Sequence, residues 1–262
     1  MMTATTHLTP SGAAQFTVLV TRGIRTSCRV PQLLMFSLTM PLAMLVLFSQ
    51  VFRSVAQNPS FPQNVSYIDF VTPAMLAVST VMAGTNAGVA AAVDHTTGLS
   101  ERFAALPMAT WIPNAARTLT EAAFTFARVA ILGIGAVALG FEFHGNPVDL
   151  VAAVTVLVVL AAAMSALFGV IGDRLRRPDV VQFAGMMIMM PFMFVSSAFA
   201  PLETMPRWMG TVADVNPVSH ATDAVRAHVL GHGSASTTTI ALIVAVLWGI
   251  GALLLSARSS RT

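Results

Sequence analysis

Six apolar runs of about twenty residues each follow one another along this chain, separated by polar stretches. An α-helix rises 1.5 Å per residue, so a run of this length crosses the roughly 30 Å hydrocarbon core of a bilayer. The runs do not alternate apolar and polar side chains, as the strands of an outer-membrane barrel would. The pattern therefore predicts an all-α integral membrane protein with six transmembrane helices. The predicted spans are residues 33–52, 70–93, 121–141, 148–171, 180–200 and 240–257.

Composition excludes a soluble globular fold of this size. Of the 262 residues, 55% are hydrophobic and only 10% are charged, whereas soluble domains carry charge at about 25% of their positions. The 14 basic residues are all arginine, so the chain cannot contain the phosphate-binding motif GxxxxGK[ST], which needs a lysine. The single cysteine, Cys28, excludes an internal disulfide and a Cys/His metal site.

Motifs of common enzyme classes are absent as well. The chain contains neither GxSxG nor HExxH, and its histidines and carboxylates do not cluster at one membrane depth. We therefore expect no enzymatic activity, no metal site and no cofactor bound by this chain. A secondary transporter or channel stays open as an alternative, although inverted repeats and several membrane-buried acids would be more typical of one.

The first 32 residues precede the first apolar run and differ from it. Within residues 13–29, apolar side chains occupy one helical face and arginines occupy another, which is typical of an amphipathic helix in the membrane interface. Pro31 ends this helix. The segment lacks the features of a removable signal peptide, so the mature chain is expected to begin at Met1. We expect a cytoplasmic tail and interfacial helix over 1–32 and a transmembrane domain over 33–262.

The third span is predicted to carry charge into the membrane. Residues 129–141 alone would reach only about 20 Å, so the helix must begin near Glu121, which places Arg128 in the hydrocarbon region. Arg117, Glu121 and Arg128 then share one helical face and offset one another's charge. Two interpretations stay open for this charge network: a functional intramembrane site, or an ion pair that locks helices together.

Two other spans carry distinctive side chains. The second span contains a GxxxG spacing at Gly84 and Gly88, which allows another helix to approach closely. In the fifth span Met186, Met190 and Met193 fall on one face. A path for a soft metal is one interpretation, but no cysteine or histidine joins them, so adaptable packing or a surface for apolar ligands explains these methionines better.

The longest polar interval, residues 201–238, precedes the last span. It contains two short amphipathic segments separated by Asn216 and Pro217, and neither segment is long enough to cross a bilayer. This pattern predicts a re-entrant helical hairpin at the outer surface, with its backbone satisfied by protein or water. Asp223 and Arg226 lie three residues apart and are expected to form a local ion pair.

The distribution of arginine predicts the orientation. Cytoplasmic loops of membrane proteins carry an excess of basic residues, and with both termini inside, nine arginines lie in inner segments against three in outer ones. The outer three are Arg53, Arg207 and Arg226. This orientation places the polar connection 94–114 in the cytoplasm. It is either a plain solvated loop or a docking element for a soluble partner.

The connection after the second span begins with Asp94 and His95, continues as Gly98-Leu99-Ser100-Glu101-Arg102 and runs into Leu106-Pro107, and Asn216-Pro217 with Arg226 precedes the sixth span. Together with the six spans and the amphipathic N-terminal helix, these residues resemble the ABC-2 type permeases, and within them the daunorubicin-resistance-type subfamily. The resemblance covers nearly the whole chain, and its most specific part is the run from Gly98 to Arg102 followed by Leu106-Pro107. In the family the acidic residue is followed by a basic one, whereas His95 occupies that position here.

The resemblance implies the membrane-spanning subunit of an ATP-binding-cassette exporter in the bacterial plasma membrane. Two copies of a separate ATPase, which bind ATP and Mg, would dock at the 94–114 connection and the interfacial helix. A second permease subunit, identical or homologous, would complete the transporter. The substrate would be hydrophobic or amphiphilic, either an antibiotic or an envelope lipid, and nucleic acid would have no part.

Roles for individual residues follow from this hypothesis. Glu101 and Arg102 are expected to form charge-assisted contacts with the ATPase, and Phe103 to join an apolar plug. The complete set expected to couple to the ATPase is Asp94, Gly98, Leu99, Glu101, Arg102, Phe103, Leu106 and Pro107. The substrate pathway is expected to include Met82, Met186, Met190, Met193 and Phe194. The outer hairpin that gates release is expected to include Trp208, Asn216, Pro217, Asp223 and Arg226.

Overall fold

The computed structural model describes residues 12–29, 31–51, 65–105, 109, 111–198 and 206–259. All secondary structure in this part of the chain is helical. The ten helices are α1 (Gly12–Arg29), α2 (Pro31–Val51), α3 (Tyr67–Thr96), α4 (Leu99–Ala104), α5 (Ile112–Ala138), α6 (Pro147–Leu175), α7 (Pro178–Phe194), α8 (Arg207–Ala213), α9 (Pro217–Val229) and α10 (Ala235–Ser259).

Helices α3 and α6 form the centre of the bundle and share its largest interface. Their backbones approach closely because glycines remove side chains from the contact. A Cβ atom on Gly88 would lie 2.5 Å from the carbonyl oxygen of Phe168, and one on Gly84 would lie 2.6 Å from Cβ of Met164. The close helix approach predicted from the GxxxG spacing is therefore confirmed, and its partner is α6.

Within the described ranges, four helices are long and apolar enough to cross a membrane: α3, α5, α6 and residues Ala235–Ala252 of α10. The described apolar parts of α2 and α7, Ser37–Val51 and Pro178–Phe194, are shorter. The all-helical membrane architecture thus agrees with the sequence-based expectation, and four of the six predicted spans meet the length and composition required of a membrane-crossing helix.

The fifth predicted span was too long at its C-terminal end. Helix α7 ends at Phe194, not at residue 200, and Ser196 to Ala198 form a turn. The carbonyl groups of Phe192 and Val195 accept hydrogen bonds from the side chain of Asn216, 2.7 Å each. Because these two carbonyls have hydrogen-bond partners, α7 can end here without leaving them unsatisfied.

The connection predicted over residues 94–114 is more structured than a loop. Asp94 still belongs to α3, the short helix α4 follows, and α5 begins at Ile112 rather than near residue 121. Gly98 turns the chain between α3 and α4 with a φ of 69°, a conformation that glycine adopts without strain. Leu106 and Pro107 lie outside the described residues.

The outer hairpin consists of two helices broken at Asn216, as the sequence predicts. Pro217 occupies the first turn of α9, where its missing N–H costs nothing. Helix α9 is buried against α3, α6 and α10. At the opposite end, α1 packs on α5, where Gly23 lies against Thr120.

Candidate functional site

The short helix α4 places charged side chains at the surface beside the end of α3. Glu101 and Arg102 are exposed, and their side chains form no hydrogen bond or ion pair with the rest of the described chain. Phe103 is half-buried and lines a cavity of about 200 Å³ between α1, α3, α4 and α5. Helix α4 therefore rests on the bundle through an apolar side chain and presents two unpaired charges outward.

Asp94, which is predicted to couple to the ATPase, forms an ion pair inside the bundle. Its carboxylate accepts a hydrogen bond from Arg117 at 2.5 Å, and its side chain is 24% exposed. Arg117 also lies 3.6 Å from Asp173 near the end of α6, and Nε2 of His95 lies 3.3 Å from the same Asp173 oxygen. The ends of α3, α5 and α6 thus meet in one polar cluster.

The predicted network of Arg117, Glu121 and Arg128 is divided in two. Arg128 donates to Glu121 at 2.7 Å, but the described partners of Arg117 are Asp94 and Asp173. Arg117 and Glu121 share a helical face, but this does not decide which carboxylate Arg117 binds. Asp94 and Asp173 on two neighbouring helices compete with Glu121 for the Arg117 guanidinium. His95 and Asp173 were not among the predicted site residues, although Asp173 follows Gly172 in a strongly basic stretch.

Arg128 is buried, with 8% of its side chain exposed. Its Nε and Nη1 atoms have no hydrogen-bond partner within the described residues. Burying a guanidinium with a single carboxylate leaves part of its desolvation cost uncompensated. The pair between Arg128 and Glu121 is therefore a poor source of stability and an unusual feature for a membrane-crossing helix.

The methionine face of α7 points away from the core of this chain. Met186, Met190 and Phe194 are 58%, 56% and 56% exposed, whereas Met193 on the same helix is half-buried. Met82 on α3 is also half-buried. The predicted pathway residues of α7 therefore lie mainly on the outer surface of the bundle, where they would meet lipid or another subunit.

A second cavity opens on the side of the bundle. It measures about 370 Å³ and is lined by residues of α3, α5, α6 and α9 and of the connection after α5, with side chains that include Ile134, Phe141, Leu157 and Val225. Apart from Thr72, whose hydroxyl donates to a backbone carbonyl, the lining side chains are apolar. A space of this kind favours an apolar occupant over water.

Asn216 anchors the outer hairpin to the end of α7. Its side-chain oxygen accepts from the N–H of Val218 and begins α9, while its amide nitrogen donates to the carbonyls of Phe192 and Val195. Its side chain is buried. Trp208 on α8, by contrast, is 64% exposed.

Arg226 connects three parts of the outer surface. The predicted ion pair with Asp223 is present at 3.0 Å. The guanidinium also donates to the carbonyls of Phe70 at 3.2 Å and Ser197 at 2.9 Å. Burial lowers the pKa of Arg226 to about 10, so it stays charged near neutral pH.

His228 fastens the end of α9 to two further helices. Its Nδ1 lies 2.7 Å from Asp149 at the start of α6, and its Nε2 lies 2.6 Å from the hydroxyl of Thr238 at the start of α10. The sequence does not reveal this group, because its three residues lie on three different helices. Spacing along one helix predicts local pairs such as Asp223 with Arg226, but not contacts between helices.

Comparison with known proteins gives consistent matches over most of the chain. Residues 14–230 match the ABC-2 type transporter family. The chain is 29% identical over 214 residues to the daunorubicin resistance ABC transporter permease protein DrrB1 of Streptomyces coeruleorubidus, covering 80% of this chain and 72% of that protein. It is 26% identical over 205 residues to the putative transport permease ycf38 of Porphyra purpurea, covering 76% and 68%. It is 29% identical over 170 residues to the probable multidrug ABC transporter permease YbhR of Escherichia coli, covering 62% and 44%.

Proposed function

Because this chain belongs to the ABC-2 type transporter family, we propose that it is the membrane-spanning permease subunit of an exporter driven by a separate ATP-binding-cassette ATPase. Two features support the assignment of ATP hydrolysis to a separate subunit. The chain has no lysine and hence no phosphate-binding loop of its own. Relatives that cover most of it are described as transport permeases.

The proposed topology has six spans in the bacterial plasma membrane, with both termini in the cytoplasm. Helices α2 and α7 supply the two shorter spans, α1 lies in the inner interface ahead of the transmembrane domain, and α8 with α9 forms a re-entrant outer hairpin. The burial of α9 against α3, α6 and α10 supports this arrangement, because backbone that enters the membrane without spanning it must be enclosed by protein.

The observation that carries the proposal is the presentation of Glu101 and Arg102 on α4. Both side chains are exposed and lack partners in the described chain, so the bundle itself does not use their charges. An ATPase surface with complementary charge would do so, and charge pairs across an interface direct which partner binds. Phe103, seated in the cavity next to α1, would pass a displacement of α4 to the bundle.

The complete transporter is proposed to contain two ATPases, which hold ATP and Mg, and two permease subunits. The exposed face of α7 with Met186, Met190 and Phe194 is proposed to border the substrate path between the permeases. Methionine side chains adapt to varied apolar shapes, which suits a hydrophobic or amphiphilic substrate. Drug resistance in the description of one relative favours an antibiotic, and an envelope lipid is the second candidate.

The proposal is tested by reconstitution into liposomes. The chain is co-expressed with an ATPase encoded beside it, the complex is purified, and uptake of daunorubicin into inside-out vesicles is measured with ATP and Mg. We expect transport only when the ATPase is present and active, and an ATPase without its phosphate-loop lysine is the control. Transport by the chain alone under an ion gradient would instead support a secondary transporter or channel. A lipid-flipping assay in the same vesicles separates the two substrate classes.

A further inference from the structure

Three helices of the bundle meet around Arg117 at their cytoplasmic ends. Its Nη2 lies 2.5 Å from Asp94 of α3, and its Nη1 lies 3.6 Å from Asp173 of α6. Arg117 belongs to α5, and 17% of its side chain is exposed. One guanidinium therefore bridges carboxylates on two other helices, a geometry that its planar set of donors allows.

His95 adds a second connection to the same point. Its Nε2 lies 3.3 Å from the Asp173 oxygen that faces Arg117. Consecutive residues of α3 thus contact different members of the cluster: Asp94 binds Arg117, and His95 binds Asp173. Asp173 is where the side chains from α3 and α5 converge on α6.

Close backbone packing holds Asp173 in this position. The residue before it, Gly172, lies directly against the carbonyl of Gly88, and a Cβ atom there would overlap that oxygen. Packed interiors of this density transmit displacement instead of absorbing it. The ends of α3 and α6 are therefore expected to move as one unit, with Asp173 on its cytoplasmic surface.

The connection from α6 to α7 is short. Helix α6 ends at Leu175, and α7 begins at Pro178, so only Arg176 and Arg177 lie between them. Arg176 ends α6 in the left-handed conformation with a φ of 54°. A displacement of the end of α6 is thus carried directly to the start of α7, the helix with the exposed methionine face.

From this geometry we propose that Asp173 is a positioning residue that couples α4, the proposed docking element for the ATPase, to the second cytoplasmic loop, which is the turn at residues 176–177 between α6 and α7. In this assignment, a movement of α4 displaces the end of α3. The cluster of Asp94, Arg117 and Asp173 makes α5 and α6 move together with α3. The short turn after α6 then moves α7. The inference rests on the proposed function, because it assumes that an ATPase acts on α4. The inference adds a role for Asp173 and His95. It also describes how a movement of α4 reaches α7, which is proposed to border the substrate path.

The test compares Asp173→Asn with Asp173→Glu and Asp179→Asn in the reconstituted complex. Asp179 is a matched control because it lies nearby, is exposed, and among the described residues forms its ion pair with Arg177, two positions away, at 2.7 Å. Three quantities are measured: the ATPase retained on purification, the rate of ATP hydrolysis, and the substrate molecules moved per ATP hydrolysed. The last quantity reports coupling, which a merely structural role would leave unchanged in a folded complex.

We expect Asp173→Asn to keep the ATPase and its hydrolysis but to lower transport per ATP by about fivefold or more, the usual size of a coupling interaction. Asp173→Glu should restore most of the ratio, and Asp179→Asn should match the wild type. The effects of Arg117→Gln and Asp173→Asn should be less than additive in the double variant, since the ion pair between Arg117 and Asp173 is lost in either single variant. A wild-type ratio in Asp173→Asn, or full additivity, would overturn the proposal.

A second measurement replaces the ion pairs of the cluster by a covalent link. Cysteines are introduced as His95→Cys and Asp173→Cys in a Cys28→Ser background and joined with a short bifunctional reagent. Before cross-linking, this variant is expected to lose transport per ATP as Asp173→Asn does, and the cross-link between α3 and α6 should restore most of it. A cross-linked transporter that stays uncoupled would contradict the inference. Failure of the proposed function is distinct, because the wild-type complex would then show no ATP-driven transport at all.

Discussion

The guanidinium of Arg226 lies over the aromatic ring of Phe70, 3.8 Å from the ring centre. The two residues are 156 positions apart in the chain, and they join the outer hairpin to the first turn of the central helix α3. The same guanidinium holds the turn that follows α7 through Ser197. Arg226 therefore fixes the hairpin to both α3 and the end of α7.

Replacement of Arg226 by lysine is expected to weaken this junction although the charge is kept. A lysine ammonium cannot reproduce the planar set of donors or the stacking on Phe70, and the loss should cost about 1–3 kcal/mol of stability. Thermal unfolding in detergent measures the effect. Arg207→Lys on the exposed start of α8 is the control, and an equal shift in both variants would contradict the assignment.

Asn216 offers a test that separates two kinds of hydrogen bond. Asn216→Asp keeps the acceptor that begins α9 but removes both donors to the carbonyls of Phe192 and Val195. Asn216→Ala removes the cap as well. Each change should destabilise the hairpin, by about 1–3 kcal/mol for the buried carbonyls left without a partner and about 1 kcal/mol more for the cap. Hydrogen exchange of the amides near the end of α7 should rise in both variants, and protection equal to the wild type would show that these bonds are unimportant.

Glu101→Ala and Arg102→Ala are expected to weaken ATPase binding without affecting the fold. Both side chains are exposed and unpaired in the described chain, so their removal should change the stability of the permease by less than about 0.5 kcal/mol. Loss of a charge pair at the interface should cost about 2–5 kcal/mol of affinity. Co-purification of the ATPase, with transport measured in parallel, gives the answer. Glu142→Ala, an exposed acid on the outer side, is the control.

Gly172→Ala is expected to disrupt the contact between α3 and α6. The added methyl group meets the backbone oxygen of Gly88, which cannot move aside as a flexible side chain would, and the strain should cost about 1–3 kcal/mol. Gly251→Ala on α10 is the matched control, because a Cβ atom there has no neighbour within 4 Å. Unfolding temperatures of the two variants should differ clearly. Equal stability would mean that the helices separate easily at this point.

Local features of the sequence predict much of the fold correctly. Apolar length indicates the membrane helices, the glycine spacing marks the helix face that packs closely, and Asn216 with Pro217 marks the break between α8 and α9. The ion pair of Asp223 with Arg226 is of the same kind, since residues three apart on one helix are neighbours in any fold. Each of these features depends on side chains within a few residues of one another.

Contacts between helices were not predictable in the same way. Arg117 has an acid four positions further along its own helix, yet it binds Asp94 and Asp173 instead. The end of α7 depends on an asparagine 21 to 24 residues later, and apolar length alone placed that end too far along the chain. The exposure of Met186 and Met190 also depends on which face of α7 packs against the bundle. Helical periodicity shows that the two side chains share a face, but not where that face points.

The sequence by itself therefore determined that this chain is a helical membrane protein with a polar connection after its second apolar run and a broken segment before its last, because length, periodicity and capping act locally. Only the tertiary structure decided which charges pair, where α7 ends and which side chains meet at the ends of α3, α5 and α6. The physical reason is competition. A guanidinium donates to whichever acceptors lie within reach, and a free carbonyl accepts from whichever donor does, so the packing of the helices decides which groups pair.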